Sequence, residues 1–594
     1  MGLGILQDHH LENVPGTAHV LDGPKRRKRE HGRGAAAQTE GLKYDASGEI
    51  LLVPQPSDDP NDPLNWSMRK RDTILVILSI TSILATTLSP ILAANTVALA
   101  IYFGHNFTDM ALLTGYHLLG VGLAGFLFVP SARIWGKRHT YILGCVIIII
   151  STIWAGATGP RYTSFLWARI MQGVGLAPFE ALVNASVGDM YFVHERGVRM
   201  AVTNFCVFGG SFFTPVVAGV ISDRIGYQWT FYFVAIFVGC MLPFIVLFVP
   251  ETAFRRESRY DIDTMGNLVV VVEPGSPDEG APTTTTTNPA QDHATTMDKQ
   301  HAGPSSDSQP ITPASSSSSA SPPPTKHSFR ESLRLFNGRK SDQGYLHLLL
   351  RPFPLFLHPG VLWACLIQGT LIGFTVLIGI VLAGIMFGPP LWFSEVETGY
   401  MYTGAFLGAL TGFLLCGLIS DPAATYLTRL NAGTYEPEFR MVLVLPQLLL
   451  GGAGIIGFGW TSEDAATYGW VWPDFFFGMV VAGMIFGAVG SALYLVDAHR
   501  AMSVESFTCL LVFKNIFSFA LTFKGFDWIT KAGNIKDVFV AVGCVQIAIC
   551  LLTLPMCKSP SLFFFFELEP PPPLYPLVRF LKLEILCLIW RDMR

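Results

Sequence analysis

The chain has 594 residues, of which half are hydrophobic and only 14% are charged, with a formal net charge of −4 at pH 7. Soluble domains carry about 25% charged residues, so this composition excludes an ordinary soluble protein and favours a membrane protein. The small net charge gives no reason to expect a nucleic-acid partner.

Apolar runs long enough to cross a membrane recur along the chain. A helical span needs about 20 mostly apolar residues, and we identify twelve such runs, six in each half. The predicted spans are 73–95, 110–130, 139–158, 163–187, 200–222, 228–249, 360–384, 398–420, 441–460, 471–495, 503–523 and 536–556.

A polar segment separates the two sets of six spans. Its centre, from Ala281 to Thr325, is rich in Thr, Ser and Pro and cannot form a packed core. We therefore predict an all-α membrane protein with twelve transmembrane helices in two pseudo-symmetric six-helix bundles. The predicted order is a disordered N-terminal tail (1–70), an N-terminal bundle (71–250), a disordered linker (251–356), a C-terminal bundle (357–556) and an atypical tail (557–594).

Basic residues of the loops lie mostly on one side of the predicted membrane. Lys and Arg favour the cytoplasmic side, and the side of the N-terminus and the linker holds most of them, beginning with Arg69, Lys70 and Arg71. Both termini and the linker are therefore predicted to be cytoplasmic. The sequon at Asn106 then lies outside, where glycosylation is possible.

Charged side chains inside spans are costly in a membrane and mark candidate sites. In span 4, Arg169 and Gln172 share a helix face, while Gly173 and Gly175 permit close approach of a neighbouring helix. Arg169 either faces a cavity or reaches towards the outer interface.

Glu180 lies eleven residues after Arg169, about three helical turns, and so on nearly the same face. Burial favours the protonated form of a carboxylic acid, which makes Glu180 a candidate for carrying a proton or pairing with a cationic substrate. The alternative is a structural hydrogen bond. Lys514, beside Asn515 in span 11, is the candidate counter-charge. His117 in span 2 either bonds neighbouring helices or handles protons.

Glycine and proline patterns predict close packing and a kink. Span 5 contains Gly210, Pro215 and Gly219, and a proline inside a helix removes one backbone hydrogen bond and bends it. Span 8 carries glycines at a spacing of four, which predicts a tight helix crossing. They are Gly404, Gly408 and Gly412.

Patterns that mark metal sites or enzymes are absent from the sequence. The ten cysteines include no CxxC pair, and no HExxH, GxSxG or P-loop motif is present. We therefore expect no catalytic residue, no metal and no cofactor.

Several motifs resemble those of the major facilitator superfamily, and more narrowly its fungal twelve-span drug:proton antiporters. The resemblance covers about residues 40–556. It rests on the lead-in Asp58–Ser67, the RxxQGxG element at Arg169–Gly175, the span-5 antiporter element with Gly210, Pro215 and Gly219, and Tyr435–Arg440. It implies two bundles that rock about a central cavity. The predicted cavity residues for substrate and proton are Arg169, Gln172, Glu180, Lys514 and Asn515.

The resemblance also implies a cytoplasmic gate of charged residues. The loop after span 2 keeps the family's glycine and basic residues but lacks its acidic residue. We predict that the basic residues of this loop pair with Asp189 while the cavity is open to the outside. The predicted gate residues are Arg133, Gly136, Lys137, Arg138 and Asp189 in the first half and Asp421 and Asp497 in the second.

The resemblance implies a monomeric plasma-membrane exporter of drugs, toxins or secondary metabolites, driven by protons. An uptake porter for a cationic nutrient such as a polyamine is the alternative. A transport-dead nutrient sensor and a membrane enzyme are the remaining classes. The residues after Met556 depart from the family pattern, and we interpret them as a mispredicted exon or an interfacial helix.

Overall fold

The computed structural model describes most of the chain between residues 52 and 558. The described residues are 18–19, 43, 45, 52–255, 326, 328–388, 390–431, 434–499 and 502–558. The disorder expected for most of residues 1–51 and for 256–325, and the interpretation of the tail after residue 558, concern residues outside these ranges.

Twelve long helical elements form the described part of the chain, and they confirm the predicted all-α architecture. They are α1 (Met68–Thr86), α2 (Phe107–Trp135), α3 (Arg138–Ala157), α4 (Tyr162–Met190), α5 (Val193–Ile225), α6 (Tyr227–Phe248), α7 (Pro359–Met386), α8 (Thr403–Leu430), α9 (Pro437–Glu463), α10 (Val471–Ala498), α11 (Ser503–Ala532) and α12 (Ile535–Leu551).

Short elements join these helices. The two-residue strands Ala18–His19 and Thr434–Tyr435 pair antiparallel. The short helices are Pro63–Asn65, Thr96–Phe103, Phe329–Ser332, Tyr345–Leu350, Pro352–Leu355, Glu395–Tyr400, Ala465–Tyr468 and Thr553–Lys558.

Ten helical stretches within the described residues are long and apolar enough to cross a membrane. The other two long helices, α1 and α4, have 19 and 29 residues. Both helices contain charged residues, which lower their hydropathy. Helix α1 begins with Met68-Arg-Lys-Arg-Asp72, and α4 contains Arg169, Glu180 and Asp189. Helix α4 also holds several of the predicted site residues.

The first helix ends nine residues before the predicted end of its span. The chain turns between Thr87 and Asn95, and Pro90 within that turn has no amide hydrogen to continue a helix. A helix end leaves backbone carbonyls without helical partners. The carbonyl of Leu88 becomes available in this way to a side chain of another helix.

Helix α5 is interrupted where the sequence predicts a kink. It changes from α-helix to a π-helix at Phe205–Gly209 and to a 3₁₀ turn at Gly210–Phe213. The α-helix resumes at Thr214, with Pro215 in its first turn, where a missing amide hydrogen costs nothing.

Glycines lie at the closest helix crossings in both halves. A Cβ on Gly173 of α4 would collide with the backbone of His117 in α2, and one on Gly175 would lie 3.0 Å from the carbonyl oxygen of Gly144 in α3. In the second half, a Cβ on Gly408 of α8 would lie 2.7 Å from the Cα of Gly478 in α10. These helices approach at the distance of their backbones.

The two halves meet along two pairs of helices. Helix α2 packs along α11, where Gly115, Gly122 and Gly125 face side chains of the other half. Helix α5 approaches the segment before α8, and a Cβ on Gly219 would lie 2.9 Å from the carbonyl oxygen of Glu395. We call the face with the basic loops, where α1 begins and α2 ends, the basic face.

Two segments that the sequence places in disordered regions are folded. Residues 52–67, before α1, bury Val53 and Leu64, and the Asp62 carboxylate accepts bonds from the amide and hydroxyl of Ser57 and from the Leu64 amide. Residues 328–358, before α7, contain three short helices. Asp62 thus pairs with polar groups of its own segment, and such pairing allows a polar sequence to be ordered.

Candidate functional site

A cavity of about 130 Å³ lies between the two halves. It extends from the middle of the molecule towards the face opposite the basic face, because residues at the start of α2, such as Phe107, line it. Most of its wall is apolar or aromatic, including Phe208, Phe212 and Tyr402. An apolar cavity with a few polar groups is the usual form of a small-molecule binding site.

The polar end of the cavity is formed by Glu180 of α4 and by Lys514 and Asn515 of α11. The Lys514 ammonium donates to Oε2 of Glu180, and Asn515 Nδ2 donates to the same oxygen at 3.2 Å. The side chains of Lys514 and Glu180 are 5% and 6% exposed. A carboxylate of the first half is thus bound to a cation of the second half inside the cavity.

The Lys514 ammonium also lies 4.6 Å from the centre of the Phe208 ring. Aromatic faces attract cations within about 6 Å. Glu180 and Phe208 together therefore form a position suited to an ammonium group, which Lys514 occupies.

The sequence predicts Arg169 and Gln172 as cavity residues, but the structure places both of them behind the cavity wall. Arg169 is fully buried, and its Nη1 donates to the Leu88 carbonyl at 2.7 Å and to Oε1 of Gln172 at 2.8 Å. Neither residue lines the described cavity. Since Ser89 and Pro90 beside Leu88 do line it, Arg169 holds part of the wall in place.

His117 bridges helices in the same layer. Its Nδ1 lies 3.2 Å from the backbone oxygen of Arg169, and its Nε2 lies 3.2 Å from Oγ of Ser89. The sequence analysis offers two hypotheses for His117, a hydrogen bond between helices and proton handling. This geometry fits the first.

The basic face is closed by charged contacts between the halves. Arg196 Nη1, at the start of α5, lies 3.0 Å from Oδ1 of Asp497 at the end of α10. The backbone amide of Val198 donates to Oδ2 of Asp421 at 3.2 Å. Further along, Arg133 of α2 lies 3.7 Å from Glu505 of α11.

Tyr435 and Arg440 complete this network from the second half. Tyr435 donates its hydroxyl to Oδ2 of Asp497 at 2.6 Å, and Arg440 Nη1 lies 3.0 Å from Oδ1 of Asp421. Burial raises the pKa of the Tyr435 phenol, so the hydroxyl remains a donor. Arg440 also donates to the Val193 carbonyl at 3.3 Å, across the halves.

The N-terminal segment covers the same network. Val53 is buried against Val193 of the first half and against Tyr435 and Phe439 of the second. The Val193 amide donates to the Val53 carbonyl at 3.0 Å. The segment before α1 therefore touches both halves where they meet.

Of the three basic residues in the loop after α2, only Lys137 makes the predicted contact with Asp189. Lys137 Nζ does lie 2.6 Å from Oδ2 of Asp189, within the first half. Arg138, however, directs its guanidinium to the carbonyls of Val246 and Ser332, and Arg133 contacts Glu505. The N–H groups of Arg138 therefore bond to nearby backbone carbonyls and not to Asp189.

Glu251 replaces the acidic residue that this loop lacks. Its carboxylate accepts the amides of Lys137 at 2.8 Å and Arg138 at 3.1 Å, at the start of α3, where a negative charge is favoured. Gly136 has φ of 96°, and a Cβ there would overlap this carboxylate.

The sequence analysis does not predict the contacts that Arg196, Arg440, Glu251 and Glu505 make on the basic face. It names Arg440 only as the last residue of the motif Tyr435–Arg440. Burial is the property that separates them from other loop charges: Arg196, Arg440 and Glu505 are each 2% exposed. Within the described residues, no group of three His, Cys, Asp or Glu residues could hold a metal ion.

Two six-helix halves, with a cavity between them and charged contacts across one face, have the architecture of a secondary transporter. The sequence profile of the Major Facilitator Superfamily matches residues 74–506. The chain therefore belongs to that family, and it is a transporter and not an enzyme.

The chain is similar over most of its length to fungal transporters. Protein HOL1 of Saccharomyces cerevisiae is 25% identical over 92% of this chain and 94% of its own length. The MFS transporter cpaT of Aspergillus oryzae is 25% identical over 91% and 96%. The efflux pump radE of Floropilus chiversii is 23% identical over 82% and 81%.

Among solved structures, the proton:xylose symporter XylE shares the fold. It superposes with a TM-score of 0.51 at 12% identity, over 85% of this chain and 97% of its own. A second structure, of XylE from E. coli in a partially occluded inward-open conformation, gives the same score over 84% and 98%.

The Glu180–Lys514 pair predicts a non-additive effect on stability. Glu180→Gln and Lys514→Met each leave one buried charge without its partner, which costs about 3–5 kcal/mol. The double variant removes both charges. We expect each single variant to lower the melting temperature of the purified protein, and the double variant to recover much of the loss.

Lys524→Met is the matched control, because Lys524 lies in the same helix and is exposed. It should leave the melting temperature unchanged. A double variant whose loss equals the sum of the two single losses would show that the pair does not interact.

The closure of the basic face predicts a cross-link between the halves. A Cβ on Gly188 of α4 would lie 3.2 Å from Cγ1 of Val496 in α10, so Gly188→Cys with Val496→Cys should form a disulfide under mild oxidation. Adding Asp497→Asn weakens the contact with Arg196. Since a buried ion pair broken on one side costs several kcal/mol, the cross-linked fraction should fall.

Gly188→Cys alone controls for the native cysteines, and Asp223→Asn, exposed on the opposite face, controls for loss of a carboxylate. Equal cross-linking with Asp497→Asn and Asp223→Asn would contradict a gating role for Asp497.

Proposed function

We propose that this transporter exports small organic molecules, such as drugs, toxins or secondary metabolites, in exchange for protons. The observation that carries the proposal is the pairing of Glu180 with Lys514 at the polar end of an apolar cavity. One relative, radE, is named an efflux pump, which is consistent with export.

The basic face is the cytoplasmic face in this proposal, because Lys and Arg favour that side. The described arrangement is then closed to the cytoplasm by Arg196–Asp497 and its neighbours, with the cavity extending outwards. Opening to the cytoplasm separates these contacts while the halves rock about the cavity.

Glu180 is the proposed proton carrier. When Glu180 accepts a proton, it loses the charge that holds Lys514, and the tie between α4 and α11 weakens. When it releases the proton, the ion pair reforms. The protonation state of one side chain thereby biases the relative position of the two halves.

A second candidate function is uptake of a cationic nutrient, such as a polyamine or an amino-acid derivative. The observation that favours it is the ammonium position between Glu180 and Phe208. A substrate amine that takes this position displaces Lys514 from the carboxylate, and so uses the same ion pair to move the halves.

Proton flux tests the role of Glu180. Vesicles reconstituted with the full chain and filled with a pH-sensitive dye should show proton movement when ethidium or spermidine is added outside. Glu180→Gln cannot exchange a proton at this position, so substrate-driven flux should fall to the level of empty vesicles. Asp223→Asn should behave as the unchanged protein.

Survival of full substrate-driven flux in the Glu180→Gln variant would exclude Glu180 as the carrier. The direction of transport is measured separately, in cells that lack the gene. Such cells accumulate more ethidium if the protein exports it, and they accumulate less labelled spermidine if the protein imports it.

We further propose that the protein is a monomer of the plasma membrane with an external glycan at Asn106. This residue is exposed at the start of α2, on the face opposite the basic loops. Asn106→Gln should abolish the shift in electrophoretic mobility that a peptide N-glycosidase produces on the unchanged protein. No shift with either protein would contradict the glycan.

A further inference from the structure

A second cavity, of about 280 Å³, opens on the basic face, away from the transport cavity. Its walls come from three parts of the chain: the segment before α1 with the first turn of α1, the residues after α6, and residues 326–340, which precede α7. Four cations and one indole contribute to these walls. They are Lys70, Lys326, Arg334, Lys340 and Trp66.

The wall before α7 is fixed against the first half of the molecule. The Lys340 amide donates to the Ile134 carbonyl at 2.7 Å, and Arg138 donates to the carbonyl of Ser332. The Tyr345 hydroxyl donates to the Leu127 carbonyl at 3.0 Å. We call residues 328–358 the strap, because they lie along α2 and α3 but lead into the second half.

Basic side chains outnumber the carboxylates that line this cavity, which are Glu251 and Glu331. Among the described residues no ion pair involves any of the four cations, and Lys326 repels Lys70 electrostatically. Lys70 lies 3.6 Å from the centre of the Trp66 ring. Glu251 accepts the amides at the start of α3, and Glu331 accepts the Ser328 amide in a capping box.

Apolar side chains of the strap are exposed beside the cavity. Phe329 is 63% exposed and Phe336 57%, and further along the strap Leu346 is 71% and Leu357 is 78% exposed. Such side chains next to basic residues are typical of a segment that lies at the boundary between lipid headgroups and acyl chains.

We propose that this cavity binds the phosphate of an anionic phospholipid headgroup. Lys and Arg side chains with several donors bind phosphate oxygens, and the strap's apolar side chains contact the acyl chains. A lipid bound in this cavity contacts the segment before α1, the residues after α6 and the strap. It therefore links the beginning and the end of the first half to the segment that leads into the second half.

This site is independent of the proposed transport substrate, and melting of the purified full chain in detergent tests it. Short-chain phosphatidylinositol 4-phosphate should raise the melting temperature in a saturable way, whereas phosphatidylcholine of the same chain length should not. Lys70→Gln combined with Lys340→Gln should weaken the apparent affinity about thirtyfold, since each basic residue near an anionic lipid contributes about 1 kcal/mol.

Arg330→Gln combined with Arg429→Gln is the matched control. Both arginines are exposed on the basic face and neither lines the cavity. Equal weakening by the two double variants would overturn the site, because it would show general attraction by surface charge. If Lys70→Gln lowers the melting temperature without lipid, the comparison is repeated with Arg334→Gln in its place, since Arg334 also lines the cavity and is exposed.

Two soluble probes distinguish a lipid from a free phosphate ligand. Inorganic phosphate and inositol hexakisphosphate carry the same chemistry without acyl chains. Stabilisation by the lipid alone supports the proposal, while equal stabilisation by either soluble probe overturns the assignment to a lipid.

Discussion

A charge buried in an apolar interior persists only where an opposite charge or a polar group lies beside it. In this molecule two of these partnerships join the two halves. Lys514 depends on Glu180 at the polar end of the cavity, and Arg196 depends on Asp497 at the basic face. Each pair exists only while the halves keep the described arrangement, so any motion between the halves must give these charges other partners.

Breaks in helices and close crossings set up the rest of the site. The early end of α1 leaves the Leu88 carbonyl for Arg169, which fixes the turn that lines the cavity. Backbone contacts at glycines such as Gly173 and Gly408 make each half a rigid unit. Rigid halves concentrate movement at the interface between them, where the charged pairs lie.

The basic face gathers segments that are distant in sequence. Val53 packs between Val193 and Tyr435, and the strap lies along α2 and α3 before entering α7. Both segments therefore oppose separation of the halves on this face. A ligand that binds between them acts on the same equilibrium without entering the transport cavity.

Much of this organisation follows from the sequence. Apolar length predicts twelve spans, loop charge predicts which face is cytoplasmic, and the cost of burying charge singles out Glu180 and Lys514. These properties depend on composition within about 20 residues, so they can be identified without knowing which helices are neighbours.

The pairing of charges was decided only by the tertiary structure. Arg196 and Asp497 are 301 residues apart, and Lys137 and Glu251 are 114 apart. No local pattern distinguishes Arg196 from other loop arginines or directs Arg138 to carbonyls. The order of the segment around Val53 likewise comes from contacts with both halves. A charge in a loop is solvated by default, and it becomes part of a gate only when folding excludes water around it.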